Sequence, residues 1–201
     1  MTDATAAASA AAAASSASSA SVRHEPELLG QTVVVIGGSS GIGFETARRA
    51  RAEGAEVILT GRKRDRLEQA ALEIGARSTA AFDATDAAAL ARFFQDLPQP
   101  IDHVMVTAGS PHYEPLLAMD SARLRAALSD RVVLALEVAR NAAGKVRPGG
   151  TLLFMGSTGA RRISPGIASA ADVAALAVHV MSNTALTGAT YDVDGGEQFV
   201  L

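Results

Sequence analysis

The chain has 201 residues, a formal net charge of −3 at pH 7 and no cysteine. This length predicts one domain, with or without a tail. The slightly acidic balance argues against a nucleic-acid-binding protein, which usually has a basic face. Because cysteine is absent, disulfides, thiolate metal sites and cysteine nucleophiles are excluded. Hydrophobic residues form 48% of the chain and aromatic residues 4%, which predicts a core of aliphatic side chains.

Residues 1–26 form a segment rich in Ala and Ser. It lacks the early positive charge and the leucine-rich stretch of a secretory signal. No part of the chain matches the run of about 18 strongly apolar residues that a membrane helix needs. We therefore expect a disordered tail and a single domain over residues 27–201, in a cytoplasmic protein with no membrane or nucleic-acid partner. A targeting segment or a misassigned start codon is the alternative.

After the tail, short apolar runs alternate with segments of helical period, which is typical of βα units around a parallel sheet. The predicted strands are residues 32–36, 56–60, 78–82, 101–107, 151–155 and 189–193. The predicted helices are residues 42–53, 64–74, 87–96, 121–145 and 172–181. The resulting fold class is α/β, with a single doubly wound, mostly parallel sheet.

A glycine-rich turn directly follows the first predicted strand and opens the first predicted helix. The turn consists of Gly37, Gly38, Ser39, Ser40, Gly41, Ile42 and Gly43. A helix N-terminus offers unpaired N–H groups and the positive end of the helix dipole, so it can bind phosphate. Glycines also let a pyrophosphate approach the backbone closely. The placement predicts a dinucleotide site, and a tight turn without a ligand is the alternative.

This turn resembles the T-G-x-x-x-G-x-G motif of the short-chain dehydrogenase/reductase family, with Ile36 at the position of the usual Thr. Two further motifs follow in the family's order. The stretch that begins Asp83–Ala84 resembles the family's D-x-x-D after the third strand, where the first Asp hydrogen-bonds the adenine. The stretch that ends Ala108–Gly109 resembles the end of the family's N-N-A-G, which supports the central sheet beside the cofactor.

The resemblance extends from residue 31 to the C-terminal region, where residues 171–196 are similar to the family's closing helix and strand. It implies a Rossmann-type domain that binds a nicotinamide dinucleotide and transfers hydride to or from a carbonyl or alcohol. It also implies that Ser157 is the catalytic Ser that orients the substrate oxygen. Members of the family usually form dimers or tetramers, so a homodimer or homotetramer is expected.

The end of the second predicted strand favours NADP(H) over NAD(H). Enzymes that prefer NAD place an acidic side chain about 20 residues after the glycine turn, but here the position is Gly61. Arg62, Lys63 and Arg64 follow at once, and an arginine can bind a 2′-phosphate with paired donors. Basic residues at a helix N-terminus oppose the helix dipole, which favours a role in ligand binding. We predict that Arg62 contacts the 2′-phosphate; a solvated helix start is the alternative.

No Tyr and Lys have the spacing that the family uses in catalysis. The family's general acid/base is a Tyr whose pKa is lowered by a Lys four residues later, because an unperturbed phenol with a pKa of about 10 is a poor base at neutral pH. The only tyrosines are Tyr113 and Tyr191, and the only lysines are Lys63 and Lys145. His112, beside Tyr113, could shuttle a proton, although an exposed loop pair without chemistry is the stronger interpretation.

The region after Ser157 is also short. Fourteen residues, 158–171, separate Ser157 from the predicted closing helix, whereas a βαβ unit takes at least about 30 residues. We therefore predict that one strand and one helix of the family fold are missing. Either residues 167–171 are the remnant of the catalytic segment, which is the better alignment, or residues 163–166 are the remnant of the sixth strand.

Three functional hypotheses remain. The chain is an oxidoreductase of this family that uses NADP(H) on a small carbonyl or alcohol substrate, or it binds NADP(H) without catalysis, or it is a deletion product of a longer enzyme. Turnover of NADPH separates the first hypothesis from the second. A cooperative melting transition that NADPH stabilises would exclude the third.

Overall fold

The computed structural model describes residues 27–97, 100–109, 116–156 and 169–193. Within these ranges five strands form one sheet: β1 (Thr32–Ile36), β2 (Glu56–Gly61), β3 (Ser78–Ala81), β4 (Ile101–Val106) and β5 (Val146–Phe154). Their order is β3-β2-β1-β4-β5, and every neighbouring pair is parallel. The predicted α/β class with one parallel sheet is confirmed.

Helices cover both faces of the sheet, as a doubly wound fold requires. They are α1 (Gly41–Ala52), α2 (Arg64–Ile74), α3 (Ala87–Asp96), α4 (Ser121–Leu128), α5 (Leu134–Ala142) and α6 (Ala170–Ser182). A short 3-10 helix (Leu116–Ala118) precedes α4, and a π-helical turn (Ser129–Val133) joins α4 to α5. No helix in the described part of the chain has both the length and the apolar character needed to cross a membrane.

Strand β1 lies at the centre of the core, and all five of its residues are buried. Val33 and Val35 pack in the layer formed with α1, α2 and α6. Val34 and Ile36 point to the opposite face and pack in the layer formed with α3 and α5. Because both faces of a parallel strand are covered, its sequence is continuously apolar or β-branched. This is the pattern from which the strand was predicted.

The start of α3 is set by Asp86, as the sequence predicts. Its Oδ1 accepts hydrogen bonds from the N–H groups of Ala88 at 2.9 Å and Ala89 at 3.1 Å. These bonds satisfy two of the donors that the first turn of a helix leaves unpaired. The apolar face that follows includes Phe93 and Phe94, which are buried against the sheet.

The predicted single helix over residues 121–145 is wrong in two respects. The π-helical turn (Ser129–Val133) interrupts it, and the helix ends at Ala142. A π-helical turn contains one residue more than an α-helical turn, and this changes the spacing of apolar residues too little for the interruption to be predicted from the sequence. Strand β5 consequently begins at Val146 rather than at residue 151.

Strand β5 contains residues 148–150, which were expected to lie before it. Its pairing with β4 changes register, since Ile101 pairs with Val146 and His103 pairs with Thr151. The bulge accommodates the Pro-Gly-Gly stretch between the two pairs. A proline in an edge region of a sheet loses no required hydrogen bond, so the strand continues through it.

The predicted last strand over residues 189–193 is also wrong, because none of these residues joins the sheet. A strand needs a neighbour for its backbone hydrogen bonds. The segment and β5 line the same cleft of about 630 Å³, to which β5 contributes Leu152 and Phe154 and the segment contributes Tyr191. Since no described strand lies between them, residues 189–193 have no partner for a ladder. The predicted tail (1–26) and the predicted loop at 161–168 lie outside the described residues.

Candidate functional site

A cleft of about 240 Å³ opens where β1, β2 and β4 end, at the carboxyl edge of the sheet. Ligands of open parallel sheets bind at this edge. Eight of the eleven predicted cofactor-binding residues line it: Gly37, Ser39, Ser40, Arg62, Asp83, Ala84, Ala108 and Gly109. The other three predicted residues are Gly41, Ile42 and Gly43, and they form the first turn of α1. The fold thus brings together residues from four separate segments of the chain.

The glycine turn is held between β2 and β4. The N–H groups of Gly37 and Gly38 donate to the Thr60 carbonyl at 3.2 and 3.0 Å. On the other side, Thr107 Oγ1 donates to the Gly37 carbonyl at 3.0 Å. Gly37 has a φ of 99°, a left-handed conformation that glycine adopts at little cost. The backbone can therefore turn sharply from β1 into α1.

The two other glycines of the motif have different roles. A Cβ on Gly43 would lie 2.5 Å from both the Gly37 carbonyl oxygen and Thr107 Oγ1, so only glycine lets α1 pack this close to the end of β4. At Gly41, which has a φ of 57°, no atom lies within 4 Å of the Cβ position. Gly41 therefore leaves open space at the start of the helix, where a ligand can approach the backbone.

The N-terminus of α1 offers donors to an anion. Ser40 is the N-cap residue, and its side chain makes no hydrogen bond to the N–H groups of the first turn. The first turn also contains no acidic residue. Unpaired N–H groups and the positive end of the helix dipole together attract a phosphate. Ile42 is half-buried and packs on the core, which anchors this turn.

Strand β2 ends at Gly61, and Arg62 follows at the rim of the cleft. A Cβ on Gly61 would lie 3.2 Å from Ser39 Oγ, so a larger residue here would crowd Ser39. The Arg62 side chain is exposed, and it has no hydrogen-bond or ion-pair partner within the described ranges. Arg64, by contrast, lies 3.7 Å from Glu68. Arg62 is therefore the cation of this segment that is placed to bind an anionic ligand.

Asp83 lies on another wall of the cleft, in the turn after β3. Its Oδ1 accepts hydrogen bonds from the Thr85 N–H at 3.0 Å and from Thr85 Oγ1 at 2.8 Å. These two donors, together with the charge of Arg62, lower the pKa of the Asp83 carboxyl. Asp83 is thus a charged acceptor held in one orientation. The next residue, Ala84, is buried against the sheet.

The end of β4 forms the remaining wall. The Ala108 N–H donates to the Ile36 carbonyl at 2.9 Å, which ties this wall to β1. Gly109 has a φ of 102°, and a Cβ there would overlap the Asp130 carbonyl oxygen. Asp130 belongs to the π-helical turn and also lines the cleft. Because π-helical turns are frequent at functional sites, this turn is part of the candidate site.

Six residues that line the cleft were not among the predicted cofactor-binding residues: Thr60, Gly61, Phe82, Thr85, Thr107 and Asp130. Thr107 belongs to the stretch that resembles N-N-A-G, but its contact with Gly37 joins residues 70 positions apart. Local patterns carry no signal for such a contact. Asp130 faces the cleft from the π-helical turn, which the apolar period of the helix does not reveal.

Of the residues considered for catalysis, Tyr191 and Lys145 are described by the structure, and neither lines this cleft. Ser157, His112 and Tyr113 lie outside the described residues. Tyr191 lines the separate cleft beside β5. Lys145 Nζ donates to the Gln95 carbonyl at 3.1 Å, away from the glycine turn.

The glycine turn, the parallel strand order and the cleft are accompanied by a match to one protein family. A sequence model described as short chain dehydrogenase matches residues 31–186, which is most of the chain. The chain belongs to the short-chain dehydrogenase family. The resemblance inferred from the motifs is thereby confirmed.

Known proteins similar to this chain match it over part of their length. Serine 3-dehydrogenase from Agrobacterium fabrum is 43% identical over 82 residues, which cover 39% of this chain and 33% of that protein. A short-chain dehydrogenase/reductase structure from Serratia marcescens is 27% identical with a TM-score of 0.64, over 77% of this chain and 66% of that one. A short chain dehydrogenase structure from Burkholderia cenocepacia in complex with NADP is 26% identical with a TM-score of 0.63, over 76% and 66%. The matched part of the chain spans between 18% and 37% of the length of these and other curated relatives.

Proposed function

We propose that residues 27–201 bind NADP(H) at the carboxyl edge of the sheet. We further propose that the protein is an oxidoreductase that transfers hydride to or from a small carbonyl or alcohol substrate. The observation that carries the proposal is the placement of Arg62 and the open N-terminus of α1 around one cleft. The NADP in the Burkholderia cenocepacia relative supports the choice of cofactor.

The chemistry of the cleft fits a dinucleotide. The first turn of α1 would hold the pyrophosphate, because its N–H groups lack a side-chain cap and Gly41 leaves the approach open. Asp83 would accept a hydrogen bond from the adenine amino group, since Thr85 holds its carboxylate in the charged form. When bound, the nicotinamide of the cofactor supplies or accepts the hydride.

The preference for the 2′-phosphate follows from the end of β2. Gly61 places no carboxylate there, so nothing at this position repels a phosphate. The Arg62 guanidinium makes no hydrogen bond or ion pair with a described residue and could donate two parallel hydrogen bonds to phosphate oxygens. Ser39 faces Gly61 across the rim, where its hydroxyl is a further donor.

A second candidate function is NADP(H) binding without turnover. It is favoured by the sequence, in which no Tyr is followed four residues later by Lys. Without a neighbouring cation, a phenol with a pKa of about 10 does not exchange protons efficiently at neutral pH. Oxidation of NADPH with a panel of ketones and quinones separates the two functions, because only the oxidoreductase changes the nicotinamide absorbance.

The binding proposal is tested by calorimetric titration of NADPH and NADH into the wild type, Arg62→Ala and Arg66→Ala. Arg66 is the matched control, because it is an exposed arginine in the first turn of α2, four residues after Arg62, and does not line the cleft. Loss of a charge-assisted hydrogen bond to phosphate is expected to weaken NADPH binding by Arg62→Ala about 10- to 100-fold. Binding of NADH is expected to stay unchanged, as is NADPH binding by Arg66→Ala.

Two results would count against the proposal. If the wild type does not bind NADPH, the cofactor assignment is wrong. If Arg62→Ala and Arg66→Ala weaken NADPH binding equally, the effect is one of general charge, and Arg62 is not the 2′-phosphate ligand.

A further inference from the structure

Thr107 lies where β4, the glycine turn and α1 meet. Its Oγ1 is 3.0 Å from the Gly37 carbonyl oxygen and 3.3 Å from the Ile36 carbonyl oxygen. A hydroxyl has one proton to donate, and the shorter distance identifies Gly37 as the acceptor. The Ile36 carbonyl already accepts the N–H groups of Thr107 and Ala108, both at 2.9 Å. The side-chain hydrogen bond of Thr107 therefore holds the glycine turn at Gly37.

The first turn of α1 packs on the same hydroxyl. A Cβ on Gly43 would lie 2.5 Å from Thr107 Oγ1, and a Cβ on Gly37 would lie 2.8 Å from it. The hydroxyl thus fills the space between the start of the turn and the start of the helix. Its position limits how far these two glycines can move relative to each other.

The turn is attached to the sheet on two sides. The N–H groups of Gly37 and Gly38 bind the Thr60 carbonyl on β2, and the Gly37 carbonyl binds Thr107 at the end of β4. With both sides held, the N–H groups that follow are oriented before a ligand arrives. Orienting a binding loop in advance reduces the entropy that ligand binding must overcome.

We propose that Thr107 is a positioning residue for the phosphate-binding turn. It acts through the Gly37 carbonyl and presets the turn for the pyrophosphate of NADP(H). This inference rests on the proposed function, since it concerns how the same site reaches its affinity. Sequence position alone does not reveal it, because 70 residues separate Thr107 from Gly37.

The test compares Thr107→Val, which keeps the shape and removes the donor, with Thr107→Ser, which keeps the hydroxyl. Thr32→Val is the matched control, because Thr32 is a buried Thr at the start of β1, at the opposite edge of the sheet. We expect Thr107→Val to weaken NADPH binding about tenfold and Thr107→Ser to stay within about twofold of the wild type. Thr32→Val is expected to bind NADPH as the wild type does.

Hydrogen exchange of the Gly37 and Gly38 amides, which donate to the Thr60 carbonyl, is measured without nucleotide and tests the inference independently of the cofactor. Thr107→Val should exchange these amides faster, and Thr107→Ser should restore the slow exchange. If Thr107→Val does not fold, Thr107→Ala provides the same comparison, because it removes the hydroxyl without adding an atom. Wild-type exchange in the hydroxyl-free variant would overturn the inference. Failure of the wild type to bind NADPH would instead overturn the proposed function, and exchange would still decide the role of Thr107.

Discussion

Gly43 approaches Gly37 so closely that a Cβ at position 43 would lie 2.5 Å from the Gly37 carbonyl oxygen. Gly37 begins the turn after β1, and Gly43 lies in the first turn of α1. Because the obstructing atom belongs to the backbone, no side-chain rotation can relieve the overlap. The distance between these residues therefore sets the shape of the glycine turn.

Gly43→Ala is expected to lower the free energy of unfolding by about 2 kcal/mol, since overpacking typically costs 1–3 kcal/mol. It should also weaken NADPH binding, because α1 must move away from the turn. Urea denaturation and calorimetry measure the two effects. Gly156→Ala is the control, because a Cβ there meets open space. Equal free energies of unfolding for the two variants would show that the backbone around Gly37 can move to accommodate a Cβ at position 43.

Gly61→Asp is expected to shift the preference from NADPH toward NADH. A carboxylate at the end of β2 would repel a 2′-phosphate and accept hydrogen bonds from the ribose hydroxyls. The ratio of the two dissociation constants should change at least about tenfold. Gly61→Ala separates charge from crowding, because its Cβ also lies 3.2 Å from Ser39 Oγ. A similar change in both variants would mean that crowding is the cause.

Asp102 connects β4 to β1 and β5 at the edge of the sheet opposite the site. It is 3% exposed, accepts a hydrogen bond from the Thr32 N–H at 2.8 Å and lies 2.7 Å from Arg147 Nε. Asp102→Ala leaves a buried N–H without an acceptor, so the free energy of unfolding should fall by about 2–3 kcal/mol.

The control for Asp102 is an exposed ion pair. Glu56 pairs with Arg77 at the surface, where such pairs contribute about 0–1 kcal/mol. Urea denaturation of Glu56→Ala should therefore show a smaller loss than Asp102→Ala. If both variants lose the same free energy of unfolding, burial does not make the Asp102 interactions more important than a surface ion pair.

His103 makes stability depend on pH. It is buried on β4 with Nε2 2.7 Å from Gln31 Oε1. Burial is the main cause of its lowered pKa; Asp102 raises this pKa and Arg147 lowers it further. The folded state therefore binds the proton less readily than the unfolded state does. The contribution of neutral His103 to the free energy of unfolding is therefore complete above pH 6.5, the ordinary pKa of histidine. It is lost as the pH falls from 6.5 toward the lower pKa of His103 in the folded state.

His103→Gln should remove this dependence. The stability of the wild type relative to His103→Gln is expected to decrease between about pH 7 and about pH 5, as the unfolded histidine becomes protonated. Urea denaturation at a series of pH values measures it, with His179→Gln on α6 as the control for losing a histidine elsewhere. If the free energy of unfolding changes with pH in the same way for the wild type and for His103→Gln, the prediction is wrong.

Several parts of the fold could be predicted because neighbouring residues determine them. The buried run of β1, the glycine turn and the cap at Asp86 each depend on residues within one or two turns of the chain. The strand predicted at residues 189–193 failed for the opposite reason, since its apolar pattern indicates a strand but cannot supply a neighbour. The start of β5 was misplaced because a register change between Ile101 and His103 is a property of the pair of strands.

By itself, the sequence determined that a strand, a glycine turn and a helix N-terminus follow one another and are followed by Arg62, because these features are contiguous and their chemistry is local. Only the tertiary structure decided what surrounds that unit. It placed Thr107 on the Gly37 carbonyl and Asp130 against Gly109. These contacts join segments far apart in sequence, and they exist because parallel strands bring their carboxyl ends to one edge of the sheet.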